Sequence, residues 1–179
     1  MAFDPTKPVD ASLVSAAELR GQFTSLKALI DAQAVAYGRV AADWASSSSS
    51  FTDVGGLAFA VGSGENWTAE IVLHVISSSA GQGFKFRVNG PGAGSVTIFM
   101  QGTGTGGATA MECEVQTAFG VASPAKTFCS GSTITGVVRI HVVLTNATAG
   151  TVQLQANNSG GSNTVTIKAN SDLVARRTG

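Results

Sequence analysis

Apolar side chains recur at alternating steps of three and four along the first quarter of the chain: Ala16, Leu19, Phe23, Leu26, Ile30, Gln33, Tyr37, Val40 and Trp44, with Gln33 the one polar member. That spacing is the a/d seam of a heptad repeat, and a lone polar layer in such a seam fixes register or oligomer state at some cost in stability. Ser15 and Glu18 stand in the S-x-x-E relation of a capping box, with Val14 and Leu19 placed for a hydrophobic staple, so a helix is predicted to start at Ser15. The seam carries the prediction on to Trp44, although Gly21 and Gly38 each cost about 1 kcal/mol relative to alanine. The serines Ser46–Ser50 then read as a flexible tether.

From Phe51 the period changes to two. Leu57, Phe59 and Val61 alternate. Trp67, Ala69, Ile71, Leu73 and Val75 share one face against Glu70 and His74. Phe84, Phe86 and Val88 oppose Lys85 and Arg87, and Val96, Ile98 and Met100 form the next apolar face. Met111, Cys113 and Val115 alternate with Glu112, Glu114 and Gln116. "TGVVRIHVVLT" is the most apolar of the strands and predicts a central one; "GTVQLQA", "NTVTIKA" and "DLVARR" close the chain. About nine short strands between Gly, Asn and Ser turns predict a mainly β protein, an antiparallel β-sandwich or jelly roll, preceded by one N-terminal amphipathic helix. The expected organisation is a helical segment at 1–45, a Ser-rich linker at 46–50 and a β-sandwich at 51–179.

A tethered amphipathic helix needs something against its apolar side. Packing on its own β-domain is one solution. Self-association or docking on a larger assembly is the other, and the length of the serine tether favours it. The candidate oligomer and anchor interface is therefore Leu19, Phe23, Leu26, Ile30, Gln33, Tyr37, Val40 and Trp44.

Composition narrows the function. Only 12% of the residues are charged, against about 25% in typical domains, and 22 are glycine. Eleven basic and eleven acidic residues cancel, with no basic stripe, which argues against a nucleic-acid partner. No apolar run is long enough for membrane insertion, and "MAFDPTKPVD" lacks the pattern of a signal peptide, so assembly in a cytoplasm is expected. Cys113 and Cys129 read as two small buried hydrophobes; a disulfide between them is left open. No metal site is expected, because no CxxC occurs and His74 and His141 have no matching ligand spacing. "GTGTGGATA", Gly102 to Ala110, lacks the Lys-Ser/Thr pair of a phosphate loop and reads as a hairpin. Asp53, Glu65 and Glu70 are scattered, not paired as acid–base chemistry requires. No catalytic or cofactor-binding residue is assigned. Among aromatics able to hold a ligand, Trp44, Tyr37 and Phe119 remain; Trp67 is expected in the core.

"PVDASLVSAAELRGQFTSLKALID" is similar to the opening of small structural proteins encoded by tailed bacteriophages and prophages. The closing "GTVQLQANNSGGSNTVTIKANSDLVARR" resembles the last strands of their jelly-roll domains, where a K-A-x-S-x-L-x-x-R-R strand is matched here by Lys168, Ala169, Ser171, Leu173, Arg176 and Arg177. "ENWTAEIVLHVISSSAGQGFKFRVNGPGAG" is similar to a strand pair and Gly-Pro turn that recur there. The resemblance implies a tumour-necrosis-factor-like jelly roll, commonly a trimer, displayed on a virion by its N-terminal segment, with no catalytic residues to transfer. The expectation is a non-enzymatic homotrimeric virion structural protein, a capsid decoration protein or short head fibre. Its partners are then itself and the phage capsid or other virion proteins. The alternative is a tail-fibre adhesion module that takes a host-surface glycan.

Overall fold

The computed structural model describes residues 15–78, 83–103, 111–121, 128, 134–160 and 164–179. The chain divides into two units, Met1–Ala34 and Val35–Gly179. The first contributes helix α1, Ala16–Ala32. Its capping box is formed: Glu18 N–H donates to Ser15 Oγ at 3.2 Å, and Ser15 N–H donates to Glu18 Oε2 at 3.0 Å. The helix stops at Gln33, where the predicted seam runs on. Val35–Arg39 is strand β1 and Trp44–Ser46 is strand β2. Tyr37, Val40 and Trp44 therefore belong to the β-unit, a correction with a local cause. Val35, Tyr37 and Val40 are β-formers, and Gly38 lowers helix propensity in the turn where the helix would have to continue.

The remaining strands are β3 (Thr52–Val61), β4 (Trp67–Ser77), β5 (Phe84–Asn89), β6 (Ser95–Thr103), β7 (Met111–Gln116), β8 (Ile134–Thr145), β9 (Gly150–Asn158), β10 (Val165–Ile167) and β11 (Asp172–Arg177). They form an antiparallel sandwich. The large sheet runs β1-β11-β4-β8-β6-β7, with β10 joined to β4 and β2; the small sheet runs β3-β9-β5. β8 is an interior strand, paired with β4 on one side and β6 on the other, in line with its being the most apolar strand segment.

The predicted inward faces of β3, β4, β5 and β6 are buried as expected, from Leu57, Phe59 and Val61 through Ile98 and Met100. Phe59 meets Trp67 at 5.5 Å between ring centroids, and Phe84, Phe86 and Phe128 make a connected aromatic cluster. Burial of this kind contributes roughly 25 cal/mol per Å² of apolar surface. β3 is interrupted between Asp53 and Ala58 by a register shift. There the Gln153 amide donates to the carbonyls of Val54 and Leu57 at 3.1 and 3.2 Å, so the carbonyls freed by the irregularity are satisfied.

The serines do not hang free. The Ser48 carbonyl accepts from Asn158 N–H at 2.9 Å, and the Ser49 carbonyl accepts from the Asn157 side chain at 2.6 Å. The stretch read as a tether is thus laid along the end of β9. Backbone carbonyls, indifferent to side-chain type, make these bonds, which is why composition alone misses them.

Glu65 ties the last strand to the start of β4. Its Oε2 accepts from Gly62 N–H at 2.6 Å and from the Trp67 indole at 2.8 Å, and Oε1 lies 3.1 Å from Arg177 Nη1. The Gly62 bond first, then the indole, then the Arg177 charge hold this carboxyl below the usual range, against the opposing effect of burial. A carboxylate favoured in the folded state adds stability above its unfolded pKa, lost as pH falls through the folded value. Glu65→Ala is expected to cost about 1.5–3 kcal/mol at neutral pH. In urea titrations the gap from the parent should shrink as acid protonates the carboxylate; a gap constant with pH would contradict this role.

Candidate functional site

No residue of α1 is buried. Leu19, Phe23, Leu26 and Ile30 follow one another at steps of four, three and four and are all exposed, Phe23 by 62% and Ile30 by 64%. At 1.5 Å per residue the stripe runs for about 17 Å along the axis. Leu29, absent from the predicted seam, is exposed too and widens the stripe beside Leu26 and Ile30. Its signal was in the sequence, since a face broader than a strict a/d line takes in one flanking position. The polar side is held by local bonds, among them the Lys27–Asp31 pair at 2.5 Å.

The rest of the predicted interface is divided. Gln33 is the exposed C-cap, its N–H bonded to Ile30 O at 3.0 Å. Val40 is buried at 2% in the β-unit, its N–H donating to Ser171 O. Trp44 is half-buried, and its indole donates to Asp53 O at 3.1 Å. Tyr37 is 77% exposed on β1. Helix and strand residues thus form no continuous helical seam.

A second surface lies on the outer face of the large sheet. Strand registers place Tyr37, Val174, Glu70, His141, Phe99 and Val115 in one row across β1, β11, β4, β8, β6 and β7. The next row is Arg39, Asp172, Val72, Arg139, Gln101 and Cys113. Val137 and Met111 lie beyond it, near Thr103. β7 inverts the expectation for its alternation. Met111 and Val115 are 61% and 60% exposed, and Cys113 is exposed rather than buried, while Glu112 and Glu114 are half-buried and Gln116 is buried. Cys129, and with it any disulfide, lies outside the described residues, as does most of Gly102–Ala110.

The outer face of the small sheet is different in kind. Arg87 Nε donates to Gln155 Oε1 at 2.8 Å, and Gln155 Nε2 donates to Asp53 Oδ1 at 2.7 Å. The Arg87 guanidinium lies 4.7 Å from the centroid of Phe51. Polar groups there satisfy one another beside water. On the large sheet, Thr68, Glu70, Val72, His141, Asp172 and Val174 line an open concavity of about 320 Å³, with apolar and charged groups side by side. Among the described residues no three His, Cys, Asp or Glu side chains gather as metal ligands would, and no helix is long and apolar enough to cross a membrane. Trp67 is buried, and Phe119 sits against Gly90.

No protein-family model matches the chain, and no curated protein matches it. Among solved structures it is similar to infectious bursal disease virus, Gx strain, at 10% identity and a TM-score of 0.23. It is similar to the VP2 subviral particle of the same virus at 10% identity and a TM-score of 0.24. In both cases the likeness covers 81% of this chain and 40% of the viral one, so the chain spans well under half the length of those viral chains.

Proposed function

We propose that this chain is a non-enzymatic structural protein of a bacteriophage virion, a homotrimeric capsid decoration protein or short head fibre assembled in the host cytoplasm and anchored by its N-terminal segment. The observation that carries the reading is the helix: it is capped and regular, yet every large apolar side chain on it is exposed. Packing normally supplies most of a helix's stability. A 17-residue helix with nothing buried is therefore built to gain that packing from another molecule. The resemblance of the N-terminal and C-terminal stretches to small phage structural proteins supports the same role. Leu19, Phe23, Leu26 and Ile30 make the contact, with Leu29 beside them and Gln33 at the end.

The full chain is expected to scatter light as three copies of 18.0 kDa, and labelled antibody should decorate the heads of virions in electron micrographs. Replacing Leu19, Phe23 and Ile30 together by glutamine preserves helix propensity but removes the stripe; the defined trimer and the virion labelling should both disappear. A parent protein at single-chain mass and absent from virions would overturn the proposal. The second reading, an adhesion module, is favoured by the concavity beside Glu70 and Asp172, whose valines and charged groups suit a sugar ring. Saturable binding on a glycan array, lost in Glu70→Gln, would decide for it.

A further inference from the structure

The inverted strand β7 points to a contact the helix does not explain. Alternation within a strand decides which residues share a face, and a one-residue slip would exchange the two faces. In the observed register Gln116 pairs with Ile98 and Glu114 with Met100, turning the polar members inward. Gln116 Nε2 donates to Glu114 Oε1 at 3.0 Å, but Glu114 Oε2 and Gln116 Oε1 are buried with no hydrogen-bond partner. Leaving buried acceptors unsatisfied is unfavourable. The same register exposes Met111 and Val115, an unfavourable arrangement if water is their permanent neighbour. The inward polar groups make this register costly, and burying Met111 and Val115 under a cover on the outer face offsets part of that cost.

We infer that the outer face of the large sheet is where the β-unit meets a second copy of this chain. The row Tyr37, Val174, Glu70, His141, Phe99 and Val115 lies at its centre. Charge and area identify the occupant. Arg39, Arg139 and Arg176 share the face with Glu70 and Asp172, all exposed, and none of the five is ion-paired with a described residue. Both signs are interspersed among apolar positions, so a neighbouring copy of the chain carries an opposite charge for each of them. A strongly acidic or basic partner would leave one set unmatched. Six strands about 4.8 Å apart, averaging about eight residues of 3.3 Å, give a face of roughly 24 by 27 Å. That is about 650 Å² in projection, comparable with the roughly 800 Å² per partner of a standard interface. The small sheet's outer face offers nothing similar, because its polar groups already bond one another.

This inference rests on the proposal that the protein self-assembles, but it concerns a different surface, and the two can fail separately. The test is sedimentation equilibrium of the full chain over a wide concentration range. The variant carrying Leu19→Gln, Phe23→Gln and Ile30→Gln should still gain mass above 18.0 kDa as concentration rises, through the sheet face. Adding Phe99→Gln and Val115→Lys, both at exposed positions, should raise the concentration needed at least tenfold; adding Lys85→Glu on the small sheet should not. An unchanged urea midpoint excludes misfolding as the cause. If the helix variant stays at single-chain mass throughout, or if Lys85→Glu weakens association equally, the sheet-face inference falls while the helix reading stands. If parent and helix variant associate identically and only the Phe99/Val115 changes disrupt them, the helix reading falls instead.

Discussion

Truncating Phe86 to alanine is expected to lower the unfolding free energy by about 3–5 kcal/mol, the largest effect of any single change here. Phe86 is completely buried on the inner face of the small sheet. It stacks on Phe84 with ring centroids 5.5 Å apart and planes 4° from parallel, and meets Phe128 at 5.8 Å. Phe128 is held by the backbone as well, exchanging N–H to carbonyl bonds with Phe84 at 2.8 and 2.9 Å. Its ring approaches Gly102, where an added Cβ would come within 2.7 Å of Val138 and 3.1 Å of Phe128. Three rings linked to two strands in this way have little freedom to collapse into a void, so the cavity cost adds to the lost transfer energy. Urea unfolding followed by circular dichroism measures the difference. A loss below 1 kcal/mol would mean that the cluster is not the packing centre described.

Gly56→Ala is expected to cost about 2–5 kcal/mol, for two reasons that add. Gly56 has a φ of +83°, where an L side chain is strained by about 1–3 kcal/mol. Its Cβ would also lie 2.1 Å from Arg39 O, and relieving that overlap means moving backbone, at about 1–3 kcal/mol. The approach is reciprocal, since a Cβ on Gly38 would lie 2.3 Å from Gly56 O. The pair lets β1 cross closely over β3. Gly55→Ala, next in the chain, meets nothing within 4 Å and is the control. Equal losses in the two variants would show that general loop entropy, not this contact, governs the site.

Gly38 also shows where sequence reasoning succeeded and where it failed. As a helix residue it looked like a weak point in a heptad seam; in the sandwich it allows two backbones to touch, a relation between residues 18 apart that no local pattern contains. The steps from Tyr37 to Val40 to Trp44 fit a helix because three positions are too few to distinguish 3.6 from 2. The N-terminal end was legible since a capping box is a local chemical device, closed within four residues. The faces of β4, β5 and β6 were legible because each has one uniformly apolar side. For β7, alternation gave the period without the phase: Met-Cys-Val marks a face, and only the pairing with β6 decides that it points outward. Half of the predicted interface, Leu19, Phe23, Leu26 and Ile30, occupies one exposed stripe. The part predicted beyond Gln33 belongs to the β-unit, where Val40 is core.

The aromatic residues separate the two units optically. Both tryptophans and the single tyrosine of the chain, Trp44, Trp67 and Tyr37, follow Ala34, so the helical unit carries no strong near-ultraviolet chromophore. Trp67 is buried against Phe59 and bonded to Glu65, whereas Trp44 is half-buried with its indole on a carbonyl. Indole emission therefore follows the sandwich alone, and the far-ultraviolet band at 222 nm is where the helix adds its own signal through its i→i−4 ladder. One heated sample, watched in both spectral regions, reports whether helix and sandwich melt together or in turn.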